Sequence, residues 1–212
     1  MKFGIKHQES YSRGELILRT LFGAFYMALP HLFLLIFLQL WSAILNFITF
    51  WIILFTGQFP EGMFKFQLNL RKWNLRLQAR MMNLSDGYPA FGLESEDENI
   101  IIEIERPAKS NRISVLLRQM FGFIYVLIPH VFCLYFVMIG MSFVQFIAFW
   151  VVLFTGKFPV GMHTFMVGVL RWQFRLGAFM SFMTDTYPPF STKGDEADFG
   201  STSTPNSGEL ES

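Results

Sequence analysis

The sequence predicts an all-α integral membrane protein built from two tandem repeats. Two runs contain no Asp, Glu, Lys or Arg, residues 20–57 and 119–156, and the second run repeats the pattern of the first. Hydrophobic residues make up 52% of the chain and charged residues only 16%, whereas soluble domains are about a quarter charged. Each repeat is predicted to contain a short strand, a tight hydrophobic helical hairpin and an amphipathic interfacial helix.

The helical hairpin is predicted from the length of each uncharged run. As one straight helix a run would extend about 57 Å at ~1.5 Å per residue, nearly twice the ~30 Å of the hydrocarbon layer. Two shorter spans fit if the chain reverses near residues 39–42 and 139–142. A re-entrant hairpin is the main variant, and its buried turn would need its backbone polar groups satisfied inside the protein.

A short strand is predicted at the start of each repeat. Phe3 and Ile5 alternate with polar or small residues, and Ile102 and Ile104 do the same within residues 99–106. Because an isolated strand pair is marginal in water and both repeats have one strand, we expect the two strands to pair with each other outside the membrane. Two unrelated extended linkers are the alternative. An approach helix that begins near Ser12 then leads into the first run.

An amphipathic helix is predicted after each run, at residues 60–84 and 159–183. Gly57 can end the membrane helix and Pro60 suits the first turn of the next one, and the second repeat has the same residues at equivalent positions. The cations of this helix form one stripe and its apolar side chains another. Since a cation at the middle of a span costs about 2.5–3.5 kcal/mol, we expect both helices to lie along the membrane interface. The second helix contains only two arginines, Arg171 and Arg175, so a membrane span is the alternative there.

The chain is predicted to divide into four parts: a first repeat 1–92, an acidic linker 93–100, a second repeat 101–190 and a tail 191–212. The tail lacks apolar periodicity and is predicted to be disordered. All lysines and arginines lie outside the two runs. The positive-inside bias therefore predicts cytoplasmic termini, linker and interfacial helices, with a pseudo-twofold axis along the membrane normal.

Polar residues that both repeats retain are candidate functional residues, because lipid-facing positions accept any apolar side chain. His31 and His130 each follow a proline within an apolar run. They could face each other across the axis and hold a haem iron or pass a proton. Alternatively, each imidazole is structural and bonds a neighbouring carbonyl or a hydroxyl such as that of Tyr26. The sequence favours the structural interpretation, so we expect no cofactor and no metal.

Further candidates lie in the amphipathic helices and in the motif that closes each repeat. The residues predicted to contact lipid or a partner are Lys72, Trp73, Arg76, Arg171, Trp172 and Arg175. The residues predicted to form the closing motif are Asp86, Tyr88, Asp185 and Tyr187. Arg76 and Arg175 could bind anionic headgroups, each contact worth about 1 kcal/mol. They could also pair with Asp86 and Asp185 to fix the closing motif against the helix.

The order of motifs also carries a resemblance. Both repeats contain Leu-Pro-His or Ile-Pro-His and Phe-Thr-Gly-x-Phe-Pro-x-Gly. The second also contains Leu-Arg-Trp-x-x-Arg and Asp-x-Tyr-Pro-Pro-Phe, from which the first departs at residues 71–73 and 88–91. This order resembles the uncharacterised bacterial membrane-protein family filed as domain of unknown function 4389, in tandem duplicate over about residues 2–91 and 101–190. The resemblance implies a bacterial inner-membrane protein and implies no activity.

Catalytic motifs are missing from the sequence. It contains no Gly-rich phosphate loop, no spaced Cys or His cluster, no Gly-x-Ser-x-Gly and no acidic pair in the uncharged runs. We therefore expect no enzyme and, without a basic tail, no nucleic-acid partner. The sequence predicts a non-catalytic scaffold or accessory subunit that contacts membrane lipids and a membrane-protein partner or a second copy. The alternative is a small transporter or channel with a path between the repeats.

Overall fold

The computed structural model describes residues 1–194, and its two repeats contain the same elements. The first repeat contains β1 (Lys2–Ile5), α1 (Arg13–Gly23), α2 (Leu29–Thr56) and α3 (Glu61–Met81). The second contains β2 (Ile100–Glu103), α4 (Arg112–Gly122), α5 (Ile128–Thr155) and α6 (Val160–Met180). A π-helical turn joins α1 to α2 and α4 to α5, at Ala24–Ala28 and Phe123–Leu127. Most of the predicted disordered tail lies outside the described residues.

The hairpin prediction is wrong, because each uncharged run belongs to one continuous helix. Helical structure extends from Arg13 to Thr56, the first long helix, and from Arg112 to Thr155, the second long helix. Both are long and apolar enough to cross a membrane. Nothing ends a helix at residues 39–42 or 139–142, since neither stretch contains proline and a single helical glycine costs only about 1 kcal/mol relative to alanine.

The ends of the helices follow local sequence signals. The side chain of Ser12 caps α1, and the side chain of Asn111 caps α4. Gly57 and Gly156 end the two long helices with φ of 75° and 72°. These left-handed conformations suit glycine, which has no Cβ to clash with the backbone. The predicted start near Ser12 and the predicted stop at Gly57 are therefore confirmed.

The two strands pair with each other, as predicted. They are antiparallel, and their register places Phe3 opposite Ile102. These two residues occupy equivalent positions in the two repeats, so a pseudo-twofold axis passes between them, perpendicular to the sheet. Their side chains are buried, which places the inner face of the sheet on the hydrophobic core.

The two long helices run antiparallel. The N–H of Tyr11 donates to the carbonyl of Gly156, and the N–H of Ser110 donates to the carbonyl of Gly57, both at 2.8 Å. The start of each long helix therefore lies beside the end of the other, with α1 packed against α5 and α4 against α2. The pseudo-twofold axis therefore passes between the two long helices. It is perpendicular to their length and level with their midpoints.

Helix α6 is largely buried and helix α3 is buried along one side, which differs from the predicted interfacial placement. Helix α3 packs between α2 and the sheet. The cations expected to face water or headgroups are largely enclosed, since Arg76, Arg171 and Arg175 are only 1%, 5% and 8% exposed. Backbone carbonyl groups of neighbouring loops accept hydrogen bonds from these side chains, which offsets the cost of their burial.

Candidate functional site

The dominant surface feature is apolar and is formed by both long helices; we name it the outer apolar surface. Large exposed apolar side chains extend from Ile17 to Phe55 on the first long helix and from Ile113 to Phe154 on the second. Only 22% and 17% of the most apolar part of each helix is buried. Soluble monomers rarely expose apolar patches larger than a few hundred Å², so this surface requires contact with lipid or with another apolar surface.

One narrow stripe of each long helix faces the protein. On the first long helix the stripe includes Leu16, Met27, His31 and Thr49, which are all buried. Helix α3 runs back along this stripe. Three side-chain contacts mark its antiparallel course: Thr49 with Met63, Ser42 with Gln67 and His31 with Trp73.

A buried aromatic cluster encloses His31. Its Nδ1 accepts a hydrogen bond from Nε1–H of Trp73 at 2.8 Å. Its ring stacks on Phe91 with centroids 3.8 Å apart and an angle of 8° between the planes. The ring of Tyr88 lies 5.5 Å away. The imidazole is fully buried, and its Nε2 has no hydrogen-bond partner among the described residues.

The second repeat reproduces this cluster around His130. Trp172 donates to Nδ1 of His130 at 2.9 Å, Phe190 stacks on the ring at 3.8 Å, and Tyr187 lies 5.5 Å away. Each histidine is thus packed against aromatic residues of its own repeat. The two imidazoles do not face each other across the axis, so the arrangement that suggested a shared haem is wrong. The geometry agrees with the structural interpretation, and an indole N–H donates a hydrogen bond to each imidazole.

The closing motifs are fixed to the start of the long helices by ion pairs. Asp86 binds Arg19 at 2.6 Å and also accepts the N–H of Ser12 at 2.7 Å. In the second repeat Asp185 binds Arg118 and accepts the N–H of Asn111. The predicted pairing of Asp86 with Arg76, and of Asp185 with Arg175, is therefore wrong.

The tyrosines of the closing motifs bind the π-helical turns. The hydroxyl of Tyr88 donates to the carbonyl of Tyr26 at 3.2 Å, and that of Tyr187 donates to the carbonyl of Tyr125 at 3.4 Å. A π-helical turn interrupts the regular i to i−4 pattern, which makes such a carbonyl available. The motif therefore packs where each long helix changes its winding.

The arginines predicted to contact lipid or a partner bind the loops that follow α3 and α6. Arg76 donates to the carbonyls of Ser95 and Gly92, and burial lowers its pKa. Arg175 donates to the carbonyl of Lys193 at 3.0 Å. Arg80, which the sequence analysis did not select, pairs with Asp97 at 2.7 Å. The contacts of Arg76 and Arg80 hold the acidic linker over α3.

The opposite side of the molecule is charged; we name it the polar face. It comprises the outer side of the sheet, the linker residues 93–98, and Lys65 and Lys72 of α3. Its exposed ion pairs include Lys65 with Glu94 at 3.5 Å and Lys2 with Glu103 at 2.9 Å. A cleft of about 690 Å³ lies between α3, the linker and β2.

Sequence reasoning missed Arg19 and Arg118, which make the ion pairs of the closing motifs. A signal was present, because the two arginines occupy equivalent positions in the repeats and each precedes an uncharged run. It also missed Phe91 and Phe190, which stack on the histidines. Their signal was the aromatic residue that ends both closing motifs.

A family model described as Domain of unknown function (DUF4389) matches the chain twice, over residues 15–92 and 113–192. Each matched segment extends from the start of a long helix through the closing motif. No curated protein and no solved structure matches the chain. Because the two segments cover most of the sequence, the chain belongs to the DUF4389 family, as a tandem duplicate.

Proposed function

We propose that this protein is a non-catalytic scaffold that is embedded in one leaflet of the bacterial inner membrane and organises lipid there. In this placement both long helices lie parallel to the membrane plane. The outer apolar surface contacts acyl chains, and the polar face contacts water. Membrane location remains the expectation of the sequence, whereas the orientation differs from the predicted multi-pass arrangement.

The length of the outer apolar surface supports this orientation. A 44-residue helix is about 66 Å long, and the hydrocarbon layer is only about 30 Å thick. A helix upright in the bilayer would leave about half of its exposed apolar side chains in water or headgroups. In the membrane plane the whole surface can contact acyl chains, as in other amphipathic helices that lie within the interface.

The position of the exposed charges is the observation that carries the proposal. Lys65 lies between Met63 and Gln67, which pack beside Thr49 and Ser42, so this cation is about 17 Å from the midpoint of the first long helix. The ion pair of Lys2 with Glu103 lies on the sheet, at the pseudo-twofold axis halfway along both long helices. Upright helices would carry the Lys2 pair to the middle of the bilayer, at a cost of about 2.5–3.5 kcal/mol for the cation. They would carry Lys65 to the edge of the ~30 Å hydrocarbon layer.

The symmetry of the repeats agrees with the same orientation. The pseudo-twofold axis is perpendicular to the sheet and to the length of the long helices. With the helices in the membrane plane this axis coincides with the membrane normal, and both repeats contact one leaflet equally. We infer that this is the cytoplasmic leaflet, because the charged polar face then never has to cross the bilayer.

Depth measurements on one line of the first long helix test the proposal. Leu18, Leu40 and Trp51 are exposed and lie opposite the buried stripe. In a Cys133→Ser background, each is replaced singly by cysteine, spin-labelled and reconstituted in vesicles. Oxygen and a water-soluble nickel chelate each increase the relaxation rate of the spin label. The ratio of the two effects gives the depth of each label.

The placement in one leaflet predicts equal depths for the three labels, within a few Å. Upright helices predict the opposite, because Leu18 and Trp51 are about 50 Å apart along the axis. Only Leu40 would then be deep. A label at Lys65 is the matched control and remains in water in the proposed orientation. Unequal depths would reject the scaffold and favour the transporter or channel, which needs helices that cross the bilayer.

A further inference from the structure

A polar cleft of about 260 Å³ lies between α3 and α6. Phe3 of β1 borders it, which places the cleft near the pseudo-twofold axis. Gln39 and Ser42 line it from α2, and Arg71 and Gln78 line it from α3. The cleft therefore connects the interior of the protein with the helix that carries the outer apolar surface.

Arg71 is the cation of this cleft, and no acidic partner accompanies it within residues 1–194. Its Nη2 donates to the carbonyl of Gly177 at 2.8 Å and to Oγ of Ser181 at 2.7 Å. Its Nε has no acceptor in the described part of the chain. Burial lowers the pKa of Arg71 to about 10, so the side chain keeps its charge at neutral pH. A half-buried cation without a counter-charge is unfavourable, and an anion in the cleft would offset that cost.

The second repeat shows that the fold does not need this cation. Leu170 occupies the position equivalent to Arg71, and Met138 occupies the position equivalent to Gln39. Most of the polar lining thus comes from the first repeat, and Gln173 is the polar residue that the second repeat contributes. Arg71 also binds the last turn of α6. Replacement of its side chain would therefore change the packing against α6 as well as the charge of the cleft.

We propose that this cleft binds the anionic headgroup of a membrane amphiphile, a phosphate or carboxylate carried on an acyl chain. Arg71 donates from Nε and Nη1, and the amides of Gln39 and Gln78 donate to the remaining oxygens. Leu170 and Phe174 border the headgroup, and the acyl chain leaves along α2 into the leaflet. The proposal rests on the placement of the outer apolar surface in lipid, because that placement brings the amphiphile to the cleft.

Titration of the purified full chain in a neutral detergent tests the site independently of membrane orientation. Octyl phosphate and inorganic phosphate are added separately, and binding is followed by ³¹P line broadening and by calorimetry. We expect octyl phosphate to bind at least about tenfold more tightly than inorganic phosphate, since the chain adds apolar contacts. Equal affinities would assign the cleft to a free anion and overturn the lipid assignment, and no binding of either would overturn the site.

Two variants that copy the second repeat identify the residues responsible. R71L is expected to weaken octyl phosphate binding by at least about tenfold, and Q39M by a few-fold, since a charged hydrogen bond contributes more than a neutral one. K65L, which replaces an exposed cation of the same helix on the polar face, is the matched control and should bind like the parent. Thermal unfolding identifies a packing defect in R71L, and Q39M leaves the contact of Arg71 with α6 intact. Unchanged binding in folded R71L, or in Q39M if R71L does not fold, would contradict the assignment.

Discussion

Arg19 and Asp86 lie 2.6 Å apart and join the beginning of the first repeat to its end. The guanidinium is 2% exposed and the carboxylate 17%. The second repeat places Arg118 and Asp185 in the same relationship. Each long helix is therefore held at its start by the closing motif of its own repeat, although the sequence separates the two partners by an entire helical pair.

Asp86→Asn should destabilise the protein by about 2–3 kcal/mol, because it removes the closer carboxylate of a buried guanidinium and leaves only the partly exposed Glu15, at 3.3 Å. The free energy of unfolding, measured by denaturant titration in detergent, gives this value. Asp185→Asn should have a similar effect. The matched control is Glu94→Gln, which removes an exposed ion pair and should cost no more than about 1 kcal/mol. Equal effects of D86N and E94Q would contradict the structural role of the buried pair.

Trp73→Phe should cost about 1–3 kcal/mol, because it removes the indole N–H and leaves Nδ1 of His31 buried without a donor. Trp41→Phe is the control, since Trp41 is exposed on the outer apolar surface. The double variant His31→Phe/Trp73→Phe should lose less than the sum of the two single variants, because both polar partners are then absent. Additive losses would show that the hydrogen bond is not the source of the effect.

Much of the local structure could be predicted from single residues. Ser12 and Gly57 set the helix ends, and the alternation at Phe3 and Ile102 predicted the strands and their pairing. These features depend on contacts within a few residues or on one repeated pattern. Such features can therefore be predicted from the sequence without knowledge of the tertiary packing.

The long helices could not be predicted in the same way. The buried stripe through Met27 and His31 is flanked by exposed Phe25 and Leu29, which are also apolar. The sequence therefore does not distinguish the buried side of the helix from the exposed side. With only the length of the uncharged run and the thickness of a bilayer to compare, the sequence predicts a turn that the structure does not contain. The burial of Arg76 was hidden for a related reason, because its acceptors are backbone carbonyls of a later loop.

Gly168→Ala should destabilise the protein by about 1–3 kcal/mol, the usual cost of overpacking a core. A Cβ at Gly168 would lie 2.4 Å from the carbonyl oxygen of Thr192, so the segment after the closing motif would have to move. Gly161→Ala in the same helix is the matched control, because its Cβ meets nothing within 4 Å. That control should be neutral or stabilising by up to about 1 kcal/mol. A neutral G168A would show that α6 does not need this close approach.

His163 makes stability depend on pH. Burial, and then the nearby charge of His7, lowers the pKa of His163 from 6.5 to about 4, and the two rings are 5.0 Å apart. Above pH 6.5 His163 is neutral in both states and contributes no pH dependence. Below that value the unfolded chain binds a proton that the folded chain excludes, so stability falls by about 1.4 kcal/mol per pH unit until about pH 4. His163→Phe, which copies Phe64 of the first repeat, should remove this dependence, whereas Lys157→Gln nearby should retain it. Denaturant titrations at pH 7 and pH 5 measure the difference, and parallel losses in H163F and the parent protein would contradict the assignment.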